Sequence, residues 1–200
     1  MRKVLLAAAV LTGLAAQDAL AQVTGNPTYL PPMGMFAKRE FGAHVSFPGG
    51  SDAAVEGLFG INAGDLDVLF QGGFSFGSGT GNSTLVLVGT EFRYKFINHT
   101  DDFPADGALV AGIGARLGDF NQAVIPIGLS LGRRLNVEDS EVSILPFLQP
   151  TLVIAAGDSD DVGFAMGLGA DFRLTRSFDL RVSAGLGEID GVSFSAIWLR

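Results

Sequence analysis

The chain has 200 residues, a formal net charge of −8 at neutral pH, 28 glycines and no cysteine. Without cysteine it cannot have a disulfide framework, a thiolate metal site or a lipoprotein anchor. The negative charge, with no basic stretch, argues against nucleic-acid binding. Hydrophobic residues make up 48% of the sequence, which distinguishes the chain from disordered glycine-rich proteins.

Residues 1–21 have the pattern of a secretory signal peptide. Arg2 and Lys3 precede a short apolar stretch, and Ala19-Leu20-Ala21 is a small-x-small cleavage site. The stretch is too short to span a membrane comfortably as a helix, so an uncleaved anchor is only the alternative. We therefore predict cleavage after Ala21 and an exported chain that begins at Gln22.

Residues 22–37 have no hydrophobic periodicity and contain Pro27, Pro31, Pro32 and Gly34. Proline and glycine interrupt regular structure, so this stretch is predicted to be an irregular lead-in to a single domain over 38–200. The connections inside that domain are about ten residues or fewer, which is too short for a folded plug or a large adhesive surface.

From residue 38 onward, apolar residues recur at every second position, which is typical of β-strands with one apolar face. The pattern is clearest over 162–186, where Phe164, Leu168 and Phe172 alternate with small and charged residues. Turn signals divide it into ten predicted strands. These lie at about 39–47, 54–62, 66–77, 84–97, 108–117, 122–135, 141–155, 162–174, 178–186 and 191–199.

The predicted strand over 141–155 is the least regular, because Pro146 and Pro150 interrupt it. Proline has no N–H to donate to the ladder of a sheet. Both prolines therefore need a bulge or a position that forms no ladder hydrogen bond.

The two faces of the strands differ in a way that separates soluble from membrane β-proteins. Water-facing strand surfaces are normally rich in long charged and polar side chains. Here the face opposite the apolar one is mainly glycine, serine and alanine with isolated charges, which suits the confined interior of a small barrel. The sequence thus favours an all-β, closed antiparallel up-and-down transmembrane β-barrel in contact with membrane lipid. A soluble secreted β-protein that binds an apolar ligand is the alternative.

The distribution of basic residues supports an even number of strands, which places both ends of the barrel domain on one side. After residue 21, every lysine and arginine except Arg116 lies at an end of the chain or near an even-numbered turn. We therefore predict ten strands with short turns and loops; eight remain the alternative, because the loss of one hairpin preserves the parity. The basic residues at the ends of the chain or near even-numbered turns are Lys38, Arg39, Arg93, Lys95, Arg133, Arg134, Arg173, Arg176, Arg181 and Arg200.

Charges of both signs fall on the small-residue face of the strands and are the best candidates for a functional site. In a confined interior they must pair, because an isolated buried charge is costly. Such a network either closes the lumen or lines a narrow pore and sets its ion selectivity. The predicted lumenal charge network consists of Glu40, Glu56, Asp67, Glu91, Arg93, Lys95, Arg116, Arg134, Asp171, Arg173, Asp179 and Arg181.

Signals for catalysis and for metal binding are weak. Ser46, His44 and Glu56 include the residue types of a hydrolytic triad, but proximity in sequence is no indication of triad geometry. The acidic run over 158–161 has ligands that suit Ca²⁺, yet it fits a solvated loop tip better. The sequence therefore predicts no enzyme, no catalytic residue, no metal site and no cofactor.

The export signal, the dyad repeat and hairpins such as Phe172-Arg173-Leu174-Thr175-Arg176-Ser177-Phe178 point to a known class of proteins. Over residues 38–200 the chain resembles the small outer-membrane β-barrel proteins of Gram-negative bacteria, the class that includes OmpA-like and OmpX-like barrels. The resemblance implies location in the cell outer membrane and insertion by the barrel-assembly machinery. Such barrels often end on an aromatic residue, whereas here Trp198 precedes Leu199 and Arg200.

The expected function is that of an integral outer-membrane β-barrel protein with a structural or membrane-integrity role and a lumen filled by side chains. A narrow, porin-like diffusion channel for ions or small solutes is the alternative within the same fold.

Overall fold

The computed structural model describes residues 23–32, 39–49, 53–77, 84–138, 140–158 and 160–200. The signal peptide predicted over 1–21 lies outside the described residues, as do Gln22 and residues 33–37 of the predicted lead-in. No helix in the described ranges is long and apolar enough to cross a membrane.

The described residues form β-strands joined by short connections. Each of the ten predicted strands corresponds to one long strand, with ends that agree within about three residues. A two-residue strand, β7, overlaps the end of the predicted sixth strand. The strands are β1 (Arg39–Pro48), β2 (Ala53–Ala63), β3 (Leu66–Phe76), β4 (Thr84–Ile97), β5 (Asp106–Leu117), β6 (Gln122–Gly132), β7 (Leu135–Asn136), β8 (Ser143–Gly157), β9 (Asp161–Thr175), β10 (Phe178–Gly187) and β11 (Gly191–Leu199).

The ten long strands form a closed antiparallel barrel. Strands adjacent in sequence pair with one another, β6 pairs with β8, and β1 pairs with β11 to close the ring. The short β7 pairs only with the start of β8, beyond the end of β6. The prediction of ten strands is therefore confirmed, and the alternative of eight is excluded.

The barrel has two ends, because neighbouring strands run in opposite directions. At the end that we call the terminal end, the backbones of Arg39 and Arg200 pair in both directions, with N···O distances of 3.1 and 2.9 Å. The turns at 64–65 and 176–177 lie at this end. The opposite end, called the loop end, carries the connections over 118–121 and 188–190.

The apolar faces of the strands point away from the barrel axis, and the polar and charged faces point inward. Ile113 and Phe194 on the outside are 53% and 52% exposed, whereas Glu91 and Asp171 inside are 0% exposed. A soluble barrel has the opposite arrangement. The fold is therefore that of a transmembrane β-barrel.

The prolines of β8 lie where its ladder with β6 is incomplete. Opposite β9, β8 keeps a continuous register through Pro146 and Pro150. On its other edge, the described pairing with β6 is interrupted between Thr151 and Leu148, next to Pro150. The carbonyl of Pro146 accepts a hydrogen bond from the backbone of Arg133, past the end of β6. The missing N–H groups therefore face the edge where β6 supplies no regular partner.

Residues 23–32, which we call the plug segment, lie inside the barrel, and every one of them is buried. The segment forms neither helix nor strand, which fits its three prolines, since they have no N–H for a regular ladder. The sequence predicted a lumen filled by side chains alone and found the loops too short for a plug. The structure differs because the lead-in before β1, rather than a loop, occupies the lumen.

Candidate functional site

The predicted charge network is distributed between the interior and the rims of the barrel. Lys95, Arg116, Arg134 and Arg173 are half-buried. The other members are buried on inward-facing positions: Glu40, Glu56, Asp67, Glu91, Arg93, Asp171, Asp179 and Arg181.

Arg93 on β4 is the centre of one ion-pair group near the terminal end. Its Nη2 atom lies 3.5 Å from Glu40 Oε1 on β1 and 3.5 Å from Asp67 Oδ2 on β3. The register places Asp67 directly opposite Arg93. A single guanidinium thus links three strands from inside.

Two further ion pairs join β9 and β10. Arg173 donates to both oxygens of Asp179, with Nε–Oδ1 and Nη2–Oδ2 distances of 2.8 and 3.0 Å. Arg181 Nη2 lies 3.0 Å from Asp171 Oδ2. Both pairs are directly opposite in the register, which shifts by one residue at an irregularity between Phe178 and Asp179, next to the turn at 176–177.

One acidic residue at the terminal rim was not among the predicted lumenal charges. Asp106, the first residue of β5, binds Lys95 Nζ at 3.3 Å and the ring of His99 at 3.2 Å. Its position in phase with the inward-facing Ala108 and Val110 was the signal that could have identified it. Arg134 at the same rim donates to the Ser143 hydroxyl.

Two arginines of the barrel bind the two ends of the plug segment through its backbone. Arg116 donates from Nη2 to the carbonyl of Gly25 at 2.6 Å and from Nε to that of Thr24 at 3.3 Å. Arg93 donates to the carbonyl of Pro31 at 2.9 Å. The network therefore also holds the plug segment, a role that no sequence pattern indicated.

The centre of the plug segment is bound by neutral side chains. The Ser183 hydroxyl donates to the carbonyl of Pro27 at 2.8 Å and accepts from the backbone N–H of Tyr29 at 3.2 Å. The Tyr29 hydroxyl donates to the carbonyl of Ile189 in the connection between β10 and β11, at 3.2 Å.

Leu30 is held through both its backbone groups and its side chain. Its N–H donates to Gln149 Oε1 at 3.1 Å, and its carbonyl accepts from the Ser130 hydroxyl at 2.7 Å. Its side chain packs in a buried apolar cluster that includes Leu58 and Ile197. Backbone polarity and apolar burial are thus satisfied at the same residue.

Glu56 lies on β2 between the barrel wall and the plug segment. His44 Nε2 is 2.8 Å from Glu56 Oε2, and Asn26 Nδ2 donates to the same oxygen. Among the described residues, His44 Nδ1 and the Ser46 hydroxyl have no hydrogen-bond partner. A Ser-His-acid relay is therefore not assembled, because the serine does not contact the imidazole.

Glycines of the barrel wall provide the space for the plug segment. A Cβ atom at Gly114 would overlap the backbone carbonyl of Val23, and one at Gly89 would overlap the Val23 side chain. A Cβ atom at Gly167 would overlap the ring of Tyr29. The sequence predicted that the small-residue face lines a confined interior. In the structure, the plug segment occupies the space next to these glycines.

Two carboxylates of the acidic loop tip over 158–161 accept hydrogen bonds from the backbone of this connection and of the adjacent one. Asp158 accepts from the backbone of Asn121 at 2.7 Å, and Asp160 accepts from that of Gly157 at 3.0 Å. In the described part of the chain, no group of three or more His, Cys, Asp or Glu side chains could hold a metal ion.

The geometry defines a closed ten-stranded barrel of the transmembrane type. No protein-family model and no curated protein matches the chain. The beta domain of the Bordetella autotransporter Brka is similar, with a TM-score of 0.50 and 12% identity over 82% of this chain and 98% of that domain. At this identity the similarity is one of fold, and it does not single out the OmpA-like or OmpX-like class.

A bacterial polysaccharide outer membrane secretin also matches, with a TM-score of 0.45 and 10% identity. The match covers 74% of this chain and 57% of the secretin chain, so this chain spans little more than half of its length.

Proposed function

We propose that the chain is an integral outer-membrane β-barrel protein with a structural role, whose lumen is closed by the plug segment and by its own ion pairs. The observation that carries this proposal is the burial of all ten residues 23–32 inside a ring whose apolar side chains point outward. This combination supports a structural role in the membrane more than it supports a role as a pore.

The outward face supports insertion into lipid. Large apolar side chains exposed around the whole barrel form an area that soluble proteins do not leave in contact with water. The closed ring pairs each of the ten long strands with a neighbour on both edges and so leaves no open sheet edge to lipid. A soluble carrier of apolar ligands would need an apolar lumen, whereas this one contains Glu91, Asp171 and Gln149.

The outer membrane is the proposed location because the chain combines a predicted signal peptide with a closed barrel whose apolar side chains point outward. Insertion by the barrel-assembly machinery is part of the same proposal. The even strand number places both ends of the barrel domain at the terminal end, and we propose that this end faces the periplasm.

Membrane insertion is tested by cell fractionation and by migration on SDS gels with and without heating. We expect the protein in the outer-membrane fraction, soluble only with detergent, and with a shift in migration on heating. A protein that stays in solution without detergent would contradict the membrane assignment.

Closure of the lumen is tested by planar-bilayer recording of the full mature chain, with Glu141→Gln as a matched surface variant. We expect no steady conductance from either protein, because the plug segment and the ion pairs occupy the lumen. Reproducible steady conductance from the wild-type protein would overturn the structural role and support the porin-like alternative.

A further inference from the structure

The barrel binds the plug segment mainly through its main chain. The carbonyls of Thr24, Gly25, Pro27, Leu30 and Pro31 and the N–H groups of Tyr29 and Leu30 all contact barrel side chains. Side chains that bind a peptide backbone, combined with pockets for a few of its side chains, are how proteins bind extended peptides.

Side-chain recognition is concentrated at two residues of the plug segment. The Tyr29 ring lies against Gly167 and Gly185, and its hydroxyl binds the Ile189 carbonyl. Leu30 fills an apolar pocket formed by side chains of β2, β3 and β11. The lumen therefore has the features of a peptide-binding site, because two pockets fix the position of the bound segment along the barrel.

The plug segment contains no charged residue, and in the described structure every ion pair joins barrel residues to one another. If the segment left, Arg93 would keep Glu40 and Asp67, and Glu56 would keep His44. Withdrawal would therefore break hydrogen bonds and apolar contacts without separating a buried ion pair, which is the more costly event.

Several buried polar groups of the barrel have no hydrogen-bond partner among the described residues. Both carboxylate oxygens of Glu91 are buried without a hydrogen-bond partner among the described residues, as are Gln71 Nε2, Gln149 Nε2 and the Ser195 hydroxyl. Buried polar groups of this kind require water. A lumen without the segment would be lined by such groups and by glycines, and it would hydrate rather than collapse.

We propose that the lumen is a binding site for an extended, uncharged peptide, that residues 23–32 are its resident ligand, and that their withdrawal opens an aqueous path. The proposal rests on the membrane-barrel function above. The segment is joined to β1 at the terminal end through residues 33–38, so it leaves and returns through that end.

Peptide binding is tested with a variant in which a Gly-Ser repeat of equal length replaces residues 23–32. A labelled peptide with the sequence of 23–32 should bind the folded variant in detergent with saturation, measured by fluorescence anisotropy. Binding to the wild-type barrel should be at least about tenfold weaker, because the site is occupied. A folded variant that does not bind the peptide would overturn the proposal.

Opening is tested with the same variant in planar bilayers. It should give discrete conductance steps, and the free peptide should suppress them when added to the compartment that faces the terminal end. The same peptide with Tyr29→Ala should suppress them less. A folded variant without steps, or with steps that the peptide leaves unchanged, would overturn the proposal.

A cross-linked variant covers the case in which the replaced segment prevents folding. A Cβ atom at Gly89 would lie 3.2 Å from Val23 Cβ, so a small outward shift of the segment reaches the separation of about 3.5–4.5 Å found in disulfides. The chain has no native cysteine, so Val23→Cys with Gly89→Cys forms one defined bond. Urea too dilute to unfold the barrel should release the segment and give conductance steps only in the reduced protein, with Val23→Cys alone as the control.

The outcomes of these tests separate the two proposals. Steps from the oxidised protein in dilute urea, or no steps from the reduced one, would overturn the plug proposal and leave the closed barrel intact. Steady conductance of the wild-type protein would instead overturn the structural role, and peptide binding would still decide whether the lumen is a peptide site.

Discussion

Near the terminal end, Arg93, Arg173 and Arg181 pair with carboxylates of neighbouring strands, whereas towards the loop end the uncharged plug segment lies against Gly89 and Gly114. The first region is filled by pairs that the strand register brings together. The second is filled by a segment far away in sequence, for which glycines provide the space. Stability near the terminal end therefore depends on charge pairing, and that near the loop end depends on volume.

The largest effect is expected from breaking a buried ion pair. Asp171→Ala leaves the Arg181 guanidinium buried without its nearest carboxylate, which should lower the free energy of unfolding by about 3–5 kcal/mol. Urea unfolding in detergent micelles measures this loss, with Trp198 as the single tryptophan probe.

The matched control replaces both partners, as Asp171→Leu with Arg181→Met. It should recover most of the loss, because no uncompensated charge remains. A double variant as unstable as Asp171→Ala would show that this region does not depend on charge pairing.

The next effect is expected from filling the space of the plug segment. The Gly114→Leu side chain would overlap the Val23 carbonyl and displace the segment, at a cost of about 1–3 kcal/mol. Chymotrypsin should then cleave after Tyr29, which is buried in the wild-type protein.

Gly57→Leu is the control for this variant, because a Cβ atom at Gly57 has its nearest neighbours at 3.9 Å. It should leave Tyr29 resistant to chymotrypsin. Equal cleavage of both variants would mean that the glycines do not provide the space for the segment.

A smaller effect is expected from Tyr29→Phe, which removes the hydrogen bond to the Ile189 carbonyl and keeps the ring. The loss should be about 1 kcal/mol, and the rate of chymotrypsin cleavage within 23–32 should rise only slightly. A loss as large as that of Gly114→Leu would show that this hydrogen bond, and not volume, holds the segment.

A pH effect is expected at the connection over 188–190, which holds the Tyr29 hydroxyl. Burial, with a smaller contribution from Asp161, raises the pKa of Glu188 above its usual value. The folded state therefore binds the proton more tightly, and stability should fall as the pH rises from the usual glutamate range through the raised value. Unfolding midpoints across this range should show the dependence in the wild-type protein and not in Glu188→Gln.

The smallest effect is expected at the surface pair of Arg176 and Glu141, whose side chains are 90% and 68% exposed. Glu141→Gln should change the free energy of unfolding by less than about 0.5 kcal/mol. A loss close to that of Asp171→Ala would mean that burial does not distinguish the two kinds of pair.

The sequence predicted the ring and its two faces because both depend on local patterns. A period of two identifies the inward and outward positions. The pairing of Arg181 with Asp171 could not be predicted in this way, because an irregularity between Phe178 and Asp179 shifts the register that starts at the turn over 176–177. Asp106 was missed because it begins its strand before the apolar alternation is established.

The plug segment could not be predicted in the same way. Its backbone binds Ser183, 154 residues away from Tyr29, and its sequence has no period that a neighbouring strand could match. Its partners are single serine, glutamine and arginine side chains, each unremarkable in its own strand. These side chains come together around the plug segment only when the strands close into a barrel.

The pairing of β1 with β11 has a kinetic consequence. These strands are the first and last of the barrel, so the contact between Arg39 and Arg200 requires the largest chain closure in the molecule. The seam is therefore expected to form late in folding. Until then the sheet is curved but open, and residues 23–32 can enter it from the side. After closure they could enter only through one end of the barrel. The timing of one strand pairing thus decides by which route the interior is filled.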